Sequence, residues 1–317
     1  MPSLPKHSLW KFFSLHVLAG GERLFRSKPF RTTNDLRSIR NFLLLQYDTP
    51  LGSAVHATPV YEAIKHHIHG AHISVAASSL AASVLKNNPY VDDCMVTPDP
   101  WKDFVGAVRA VRHIYRNLPV GPVCIATTRG NQRSKAAFLA MLAGDAVRTG
   151  FTLATPMYDL PLTIHPERSQ IEDNLDILRI LGHNVSIPEP RLFFSNDDAE
   201  YAARWLSDAG LSTDNTRIIY VTKNSAAQRN QWRQERFEQV IRTLSKTLNA
   251  QPIFVGSAGE ATDIDRLRHQ LDQKGISLAG KTTIPQLAAL MALCDIVVSL
   301  DTGTFHVARA VGLPGAV

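Results

Sequence analysis

Residues 294–314 read CDIVVSLDTGTFHVARAVGLP, and this stretch decides the fold. The apolar run after Asp295 predicts a buried strand, and the small polar residues that follow predict a tight turn. A helix then opens near Gly303 and ends before Gly312 and Pro314, which are typical helix terminators. A strand that runs through a turn into a helix is typical of α/β proteins and leaves unpaired amides at the beginning of the helix.

The beginning of this helix is a predicted anion-binding site, because its unpaired N–H groups and the helix dipole both favour negative charge. Thr302 and Thr304 add hydroxyl donors, Gly303 allows close approach of the backbone, and His306 can donate to a phosphate oxygen. We expect a diphosphate here, with Asp301 facing the ligand crevice. A purely structural turn is the alternative, since many α/β proteins place Asp and Gly at strand ends.

The composition is that of a globular protein with room for two α/β domains. The chain has 317 residues, of which 44% are hydrophobic and 20% are charged, and this excludes a disordered or collagen-like chain. A net charge of +6 predicts anionic partners such as phosphates, an acidic glycolipid or a membrane surface. Nucleic acid is not required to explain this charge, and we expect none.

The cysteines and the N-terminal segment bear on location. Cys94, Cys124 and Cys294 are widely spaced without a CxxC motif, so we expect buried thiols in a reducing cytoplasm and no zinc site. No apolar run is long enough to span a bilayer. Residues 1–40 mix basic and apolar side chains, which suits either a helix that docks on anionic lipid or, our preferred interpretation, an extension packed on the first domain.

Strands and helices alternate in two blocks, which predicts parallel sheets covered by helices. We expect a loop over 47–54 and a helix that begins after Thr283 as its N-cap. A proline-rich stretch separates the blocks and places the linker near 186–196, so we expect a basic extension (1–40), an N-terminal domain (41–190) and a C-terminal domain (191–317). The predicted strands are 42–46, 72–76, 94–96, 123–126, 217–221, 252–255 and 277–278.

Three stretches carry a resemblance to a known family. Residues 43–59, LLLQYDTPLGSAVHATP, are similar to its opening strand, Gly-Asp loop and Thr-Thr-Pro helix start. Residues 229–237, RNQWRQERF, are similar to its K-R-W-P-x-E-R-F motif. LAGKT at 278–282 and the segment 301–314 are similar to L-A-G-K-T and D-S/T-G-x-x-H-x-A-A-A-L-G-x-P. The chain therefore resembles the ADP-heptose:lipopolysaccharide heptosyltransferases, glycosyltransferase family nine.

This resemblance implies an α/β protein of the GT-B type, with two Rossmann-like domains whose parallel sheets face a central cleft. It implies an inverting, metal-independent transfer of a heptose-like sugar from an ADP-sugar to a lipopolysaccharide-core or related glycan acceptor. No cofactor is expected. The implied location is the cytoplasm or the inner face of the cytoplasmic membrane, which residues 1–40 would contact.

The resemblance also assigns roles to residues of the C-terminal half. Asp301 would bind a sugar hydroxyl and Glu260 the ribose, while Lys223 and Arg229 would stabilise the departing diphosphate. The residues expected to bind the nucleotide sugar are Thr222, Lys223, Arg229, Glu260, Asp301, Thr302, Gly303, Thr304 and His306.

The sequence departs from the family pattern in two catalytic positions. Ser53 stands where the family has its catalytic Asp, and a hydroxyl cannot accept a proton near neutral pH without another base. Asn230 stands where the family has a Lys, although the adjacent Arg229 can supply the charge. The chain also stops at Val317, where the family continues, so we expect a truncated C-terminal domain.

Asp48 is our candidate base, with His56 as a weaker one; Asp48 also fits a simple loop-capping role. The alternative function is a catalytically inactive protein that still binds a nucleotide sugar. An NAD-dependent enzyme is disfavoured, because DTPLGS at 48–53 is not a G-x-G-x-x-G loop. We expect the acidic pairs at 92–93 and 197–198 to lie at loop or helix beginnings, where carboxylates favour the helix dipole, and not to bind a metal. We expect the histidines of 66–69 to form a solvated helix face rather than a metal site.

Overall fold

The structure is a computed structural model that describes residues 33–47, 50–131, 134–151, 157–211, 215–223, 232–272 and 275–317. These residues divide into two compact units. Among them, unit 1 consists of 33–47, His56–Ala82 and Pro89–Glu189. Unit 2 consists of Pro50–Val55, Ser83–Asn88 and Pro190–Val317. Unit 2 therefore includes two short segments from the N-terminal half of the chain.

Unit 1 is built on a sheet of six described strands, all parallel, in the order β3-β2-β1-β4-β5-β6. Its strands are β1 (Asn41–Gln46), β2 (His72–Ala77), β3 (Asp93–Val96), β4 (Val123–Thr127), β5 (Val147–Phe151) and β6 (Leu160–Leu162). Every residue of β1 is buried, which explains its nearly unbroken apolar sequence. The helices described in this half of the chain are α1 (Thr33–Arg37), α2 (Leu51–His56), α3 (Thr58–His67), α4 (Ser79–Leu85), α5 (Phe104–Arg116), α6 (Ser134–Ala143) and α7 (Gln170–Arg179).

Unit 2 contains a second parallel sheet, of five described strands in the order β11-β10-β7-β8-β9. These strands are β7 (Arg217–Val221), β8 (Gln251–Phe254), β9 (Ile276–Ser277), β10 (Ile296–Ser299) and β11 (Gly315–Ala316). The helices are α8 (Asn196–Asp208), α9 (Gln234–Thr247), α10 (Ala261–Gln270), α11 (Ile284–Ala292) and α12 (Gly303–Ala310). The two parallel sheets confirm the predicted α/β class.

Both faces of the unit 2 sheet are covered by helices, and the alternation along β7 shows how. Ile219 and Val221 lie in a core cluster with side chains of α8, α11 and α12. Ile218 and Tyr220 lie in a separate cluster with side chains of α9 and α10. Successive residues of a strand point to opposite faces, so β7 is apolar on both sides. Its end is therefore the place where polar residues can reach a ligand.

The predicted strands agree with the observed ones to within one residue at each end. Three of the described strands, β5, β6 and the two-residue β11, were not predicted. Arg148 and Gly150 interrupt the apolar pattern of β5, and a proline lies in β6. Arg148 is nevertheless buried, because its guanidinium pairs with Asp159 at 3.1 Å. Pro161 is tolerated because β6 is the edge strand of its sheet.

The predicted loop over 47–54 was wrong in its second half, where the chain forms α2. The Ala54 N–H donates to the Pro50 carbonyl at 3.2 Å. Ala54 and Val55 are fully buried in the core of unit 2, and Leu51 packs against it. The turn-like residues Thr, Pro, Gly and Ser concealed a short helix that tertiary packing stabilises.

Surface features of unit 1 differ partly from expectation. Cys124 is buried, but Cys94 is exposed, because all four residues of the edge strand β3 are exposed.

None of the helices in the described part of the chain combines the length and the apolar character needed to cross a bilayer.

Two helices of unit 2 begin with reciprocal caps. Thr283 is the N-cap of α11, as predicted, and forms a capping box with Gln286. Ser195 caps α8: its hydroxyl accepts the Asp198 N–H at 3.2 Å, and the Asp198 carboxylate accepts the Ser195 N–H at 3.0 Å. Both caps satisfy amides that the helices themselves leave unpaired.

We expect Ser195→Ala to lower the free energy of unfolding by about 1 kcal/mol, because the first turn of α8 loses its cap. Urea denaturation followed by circular dichroism measures this change. Ser207→Ala, at an exposed position near the other end of the same helix, is the control and should change stability by less than about 0.5 kcal/mol. Equal losses in the two variants would contradict the capping role.

Candidate functional site

The predicted ligand-binding residues of unit 2 follow three neighbouring strands at one edge of the sheet. β10 pairs with β7, and β7 pairs with β8, all in parallel. Parallel strands end at the same edge, so the segments that follow them lie side by side. Residues 301–306 follow β10, Thr222 and Lys223 follow β7, and Glu260 follows β8. This edge is therefore the candidate site.

Thr302 shows a hydrogen-bonding deficit at this edge. It is the N-cap of α12, with extended backbone angles (φ −135°, ψ 166°), but its side chain makes no capping hydrogen bond. The residue is only 9% exposed, and its hydroxyl oxygen is buried without a partner in the described part of the chain. A buried hydroxyl without a partner costs about 1–3 kcal/mol, so a ligand that bonds to it would recover this free energy.

The first turn of α12 presents amides beside that hydroxyl. The Phe305 N–H donates to the Thr302 carbonyl at 3.1 Å. The amides of Gly303 and Thr304 come before it and have no acceptor within the helix, because the first amides of a helix lie beyond the reach of its carbonyls. Together with the helix dipole they form a positive end that suits an anion.

Helix α2 packs directly on this end of α12, and glycines make the contact possible. A Cβ added to Gly303 would lie 2.6 Å from the Leu51 Cβ and 3.1 Å from the Gly52 nitrogen. A Cβ added to Gly52 would lie 2.6 Å from Cδ2 of His306 and 3.2 Å from its Nε2. The shortest distance at each glycine, 2.6 Å, leaves no space for a side chain. All of these residues belong to unit 2, so the segment that carries Ser53 reaches residues 301–306 within one compact unit.

His306 is a half-buried imidazole next to this contact. Its Nε2 lies 3.9 Å from a carboxylate oxygen of Asp301, whose side chain is exposed. Burial lowers the pKa of His306 below its ordinary value; Asp301 opposes this shift and Arg309 adds to it. The imidazole is therefore mainly neutral near pH 7, with one N–H donor and one nitrogen that can accept a proton.

A pocket of about 500 Å³ lies next to the end of β7. Its walls include Thr222, Lys223, Trp232 and Asp263. The Lys223 ammonium pairs with the Asp263 carboxylate at 3.0 Å, and this pairing lowers the pKa of Asp263. The volume is in the range of small-molecule sites, and the pocket holds a positive group that a ligand phosphate can share.

Glu260 has a structural contact of its own. One of its carboxylate oxygens accepts the Ser257 N–H at 2.6 Å, which caps the turn before α10. The Gly280 N–H donates to the Gly256 carbonyl at 2.9 Å and joins the 278–282 segment to this turn. Glu260 is thus held in place by the backbone of the turn before α10.

Not every predicted residue can be located. Asp48, Arg229 and Asn230 lie outside the described residues. Within the described ranges, no three His, Cys, Asp or Glu side chains are grouped so that they could hold a metal ion. The histidines at 66, 67 and 69 are exposed. Asp198 caps α8, and Asp92 pairs with Lys65 at 2.6 Å, so these carboxylates have structural partners.

Sequence reasoning missed two features of this edge. Asp263 was not predicted to pair with Lys223, and no local pattern distinguishes it from the other acidic residues of α10. The contact of Gly52 with His306 was also missed, because it joins segments from opposite ends of the chain. Gly52 lies in a stretch that resembles the family motif, but that resemblance does not indicate a contact with His306.

Comparisons with known proteins support one family. The model of glycosyltransferase family 9 (heptosyltransferase) matches residues 130–315, more than half of the chain. No significant match was found among curated proteins.

Several solved structures share the fold. A glycosyl transferase family 9 protein from Veillonella parvula DSM 2008 is 19% identical, with a TM-score of 0.79 over 88% of this chain and 81% of that one. The E. coli ADP-heptose lipopolysaccharide heptosyltransferase II is 18% identical, with a TM-score of 0.71 over 86% and 83%. The E. coli heptosyltransferase WaaC with ADP is 18% identical, with a TM-score of 0.64 over 86% of both chains. The two E. coli neighbours are heptosyltransferases, and at such identities all three structures show the fold alone, which is of the predicted GT-B type.

The family match covers most of unit 2, including the strand, turn and helix that carry residues 301–306. The chain belongs to glycosyltransferase family 9, the heptosyltransferase family.

Proposed function

We propose that the protein is an inverting, metal-independent glycosyltransferase that moves a heptose-like sugar from an ADP-sugar to a lipopolysaccharide-core or related glycan acceptor. Family membership supports the reaction class. The observation that carries the proposal is the buried, unpartnered hydroxyl of Thr302 at the positive end of α12. The structures of WaaC with ADP and with ADP-2-deoxy-2-fluoro heptose support an ADP-linked donor.

In this proposal the donor diphosphate lies at the beginning of α12. The amides of Gly303 and Thr304 donate to its oxygens, and the hydroxyls of Thr302 and Thr304 add two further donors. His306 donates through one ring N–H. Neutral donors in a fixed arrangement can stabilise the charge that develops on the leaving diphosphate without reorganising.

The rest of the donor has candidate partners along the same sheet edge. Asp301 would accept from a sugar hydroxyl, and its exposed carboxylate suits that role. Glu260 would bind the ribose with the carboxylate oxygen that does not cap Ser257. Thr222 and Lys223 line the 500 Å³ pocket, where Lys223, with Arg229, would contribute positive charge to the diphosphate.

Proton removal from the acceptor hydroxyl is the second half of the reaction. Ser53 holds the position of the family's catalytic Asp and lies in the first turn of helix α2, which packs on α12. It can orient the acceptor hydroxyl but needs another base to take the proton. Asp48 is the base that the sequence suggests, five positions earlier in the same segment.

The alternative is a family member that binds a nucleotide sugar without turning it over, which Ser53 and Asn230 favour. Two measurements separate the alternatives: calorimetric titration with ADP, and sugar transfer from ADP-heptose to heptose-deficient lipopolysaccharide core. Binding with turnover supports the enzyme, and binding without turnover supports the inactive protein. Failure to bind ADP would contradict both.

The net positive charge of the chain bears on the acceptor and on the proposed location. A net charge of +6 supports an anionic glycolipid or glycan as the acceptor. We propose that the protein acts in the cytoplasm, and at the inner face of the cytoplasmic membrane if residues 1–40 dock on anionic lipid rather than pack on the first domain. Most of that segment lies outside the described residues.

We expect Thr302→Val to weaken ADP binding about 10-fold, because a hydrogen bond to a charged oxygen is lost. The same substitution should leave the free energy of unfolding unchanged or raise it, because it removes a buried, unsatisfied hydroxyl. Calorimetry with ADP and urea denaturation without ligand measure the two effects.

Thr283→Val is the matched control, because Thr283 is also an N-cap but makes its capping bond. It should lower stability by about 1 kcal/mol and leave ADP binding unchanged. A Thr302→Val protein that binds ADP as tightly as the wild type would contradict the proposed site.

We expect Asp263→Asn to tighten ADP binding about two- to fivefold, because Lys223 is released from an exposed ion pair that competes with the diphosphate. Asp265→Asn removes the same charge from the same helix but frees Arg268, so it should change the affinity less. If both variants change the ADP affinity equally at low and at high salt, the change comes from the lost negative charge alone, and Lys223 does not contact the diphosphate.

A further inference from the structure

The chain lacks the family's carboxylate at position 53, yet a titratable group lies beside that position. The Cδ2–Nε2 edge of His306 contacts Gly52, the residue immediately before Ser53. We propose that His306 is the general base of the reaction and takes the proton of the acceptor hydroxyl at Nε2. This proposal rests on the proposed function and adds a catalytic residue to it.

The position of the ring suits this task. His306 lies in the first turn of α12, next to the amides proposed to hold the diphosphate, so one edge can face the donor. The other edge faces the first turn of helix α2, which contains Ser53. Gly52 has no side chain between the ring and that turn, and a methyl group there would overlap the imidazole. The structure thus keeps this edge of His306 close to the Ser53 segment.

The charges around the ring also suit a base. The carboxylate of Asp301, from the preceding turn, lies 3.9 Å from Nε2, and Arg309 acts from the same helix. The contact from α2 is Gly52, which carries no titratable group. Burial keeps the pKa of His306 below its ordinary value, so the imidazole is ready to accept a proton near pH 7. Asp301 would then stabilise the imidazolium.

The two substrates and His306 account for every bond, proton and electron pair in this step. The acceptor O–H bond breaks, its proton goes to Nε2, and the oxygen forms a bond to the anomeric carbon of the donor sugar. The bond from that carbon to the diphosphate breaks, and its electron pair leaves with ADP. The new imidazolium lies next to the departing diphosphate and attracts it, and it later releases the proton to solvent.

The test compares His306→Gln with the wild type, because Gln keeps an N–H donor for the phosphate but cannot act as a base. We expect kcat for transfer from ADP-heptose to heptose-deficient lipopolysaccharide core to fall about 100-fold or more, with ADP affinity by calorimetry nearly unchanged. His269→Gln, at an exposed site on α10, is the control and should leave kcat unchanged.

A second variant distinguishes a catalytic role of His306 from a structural one, because a new carboxylate could replace a missing base but not a missing structural contact. Ser53→Asp in the His306→Gln background should restore activity, because it returns a carboxylate to the family position. In the wild type, kcat should decline toward acid pH with an apparent pKa below the ordinary histidine value, because protonation of His306 removes the base. In the double variant this apparent pKa should be lower still, in the carboxylate range.

Three outcomes would overturn the proposal. His306→Gln could keep its kcat while Asp48→Asn loses activity, which would make Asp48 the base. His306→Gln could lose ADP affinity in proportion to kcat without rescue by Ser53→Asp, which would leave His306 as a ligand of the diphosphate only. A wild type that binds ADP but gains turnover only with Ser53→Asp would show that His306 is not a competent base. Loss of ADP binding in the wild type would instead refute the proposed function.

Discussion

The close approach of two helix beginnings, α2 and α12, is the contact on which the rest of the site depends. Gly52 and Gly303 lie in this contact, and a single methyl group on either would overlap its neighbour. Overlap at Gly303 would involve Leu51 and the backbone, which cannot move without disturbing the core around Ala54 and Val55. Overlap at Gly52 would displace only the His306 ring. The contact at Gly303 therefore supports the fold, and the contact at Gly52 fixes the position of the His306 ring.

This packing brings two motifs that are distant in sequence together in space. The segment with Ser53 belongs to unit 2 although its neighbours in sequence belong to unit 1. It lies beside helix α12, whose unpaired amides and buried Thr302 hydroxyl favour an anion. An anion there would be held mainly by neutral donors, because His306 is mostly neutral and Lys223 is paired with Asp263. Such a site can bind a diphosphate and still release it after transfer.

The sequence predicted the fold well where one local pattern dominated. Apolar runs marked β1 and β7, and Thr283 followed by Gln286 marked the beginning of α11. The prediction failed where tertiary contacts decide: Arg148 lies buried in β5 because Asp159 neutralises it, and α2 forms from turn-like residues because the unit 2 core covers it. The unpaired amides at the beginning of α12 could be predicted, since they follow from one strand, turn and helix. The contact of Gly52 with His306 could not, because no pattern within either segment refers to the other.

The central claim is that the beginning of α12 binds the diphosphate of the sugar donor. A crystal structure of the protein with ADP tests it most directly. We expect diphosphate oxygens within hydrogen-bonding distance of the Gly303 and Thr304 amides and the Thr302 hydroxyl. An ordered ADP bound elsewhere, with those three groups still without a phosphate contact, would contradict it.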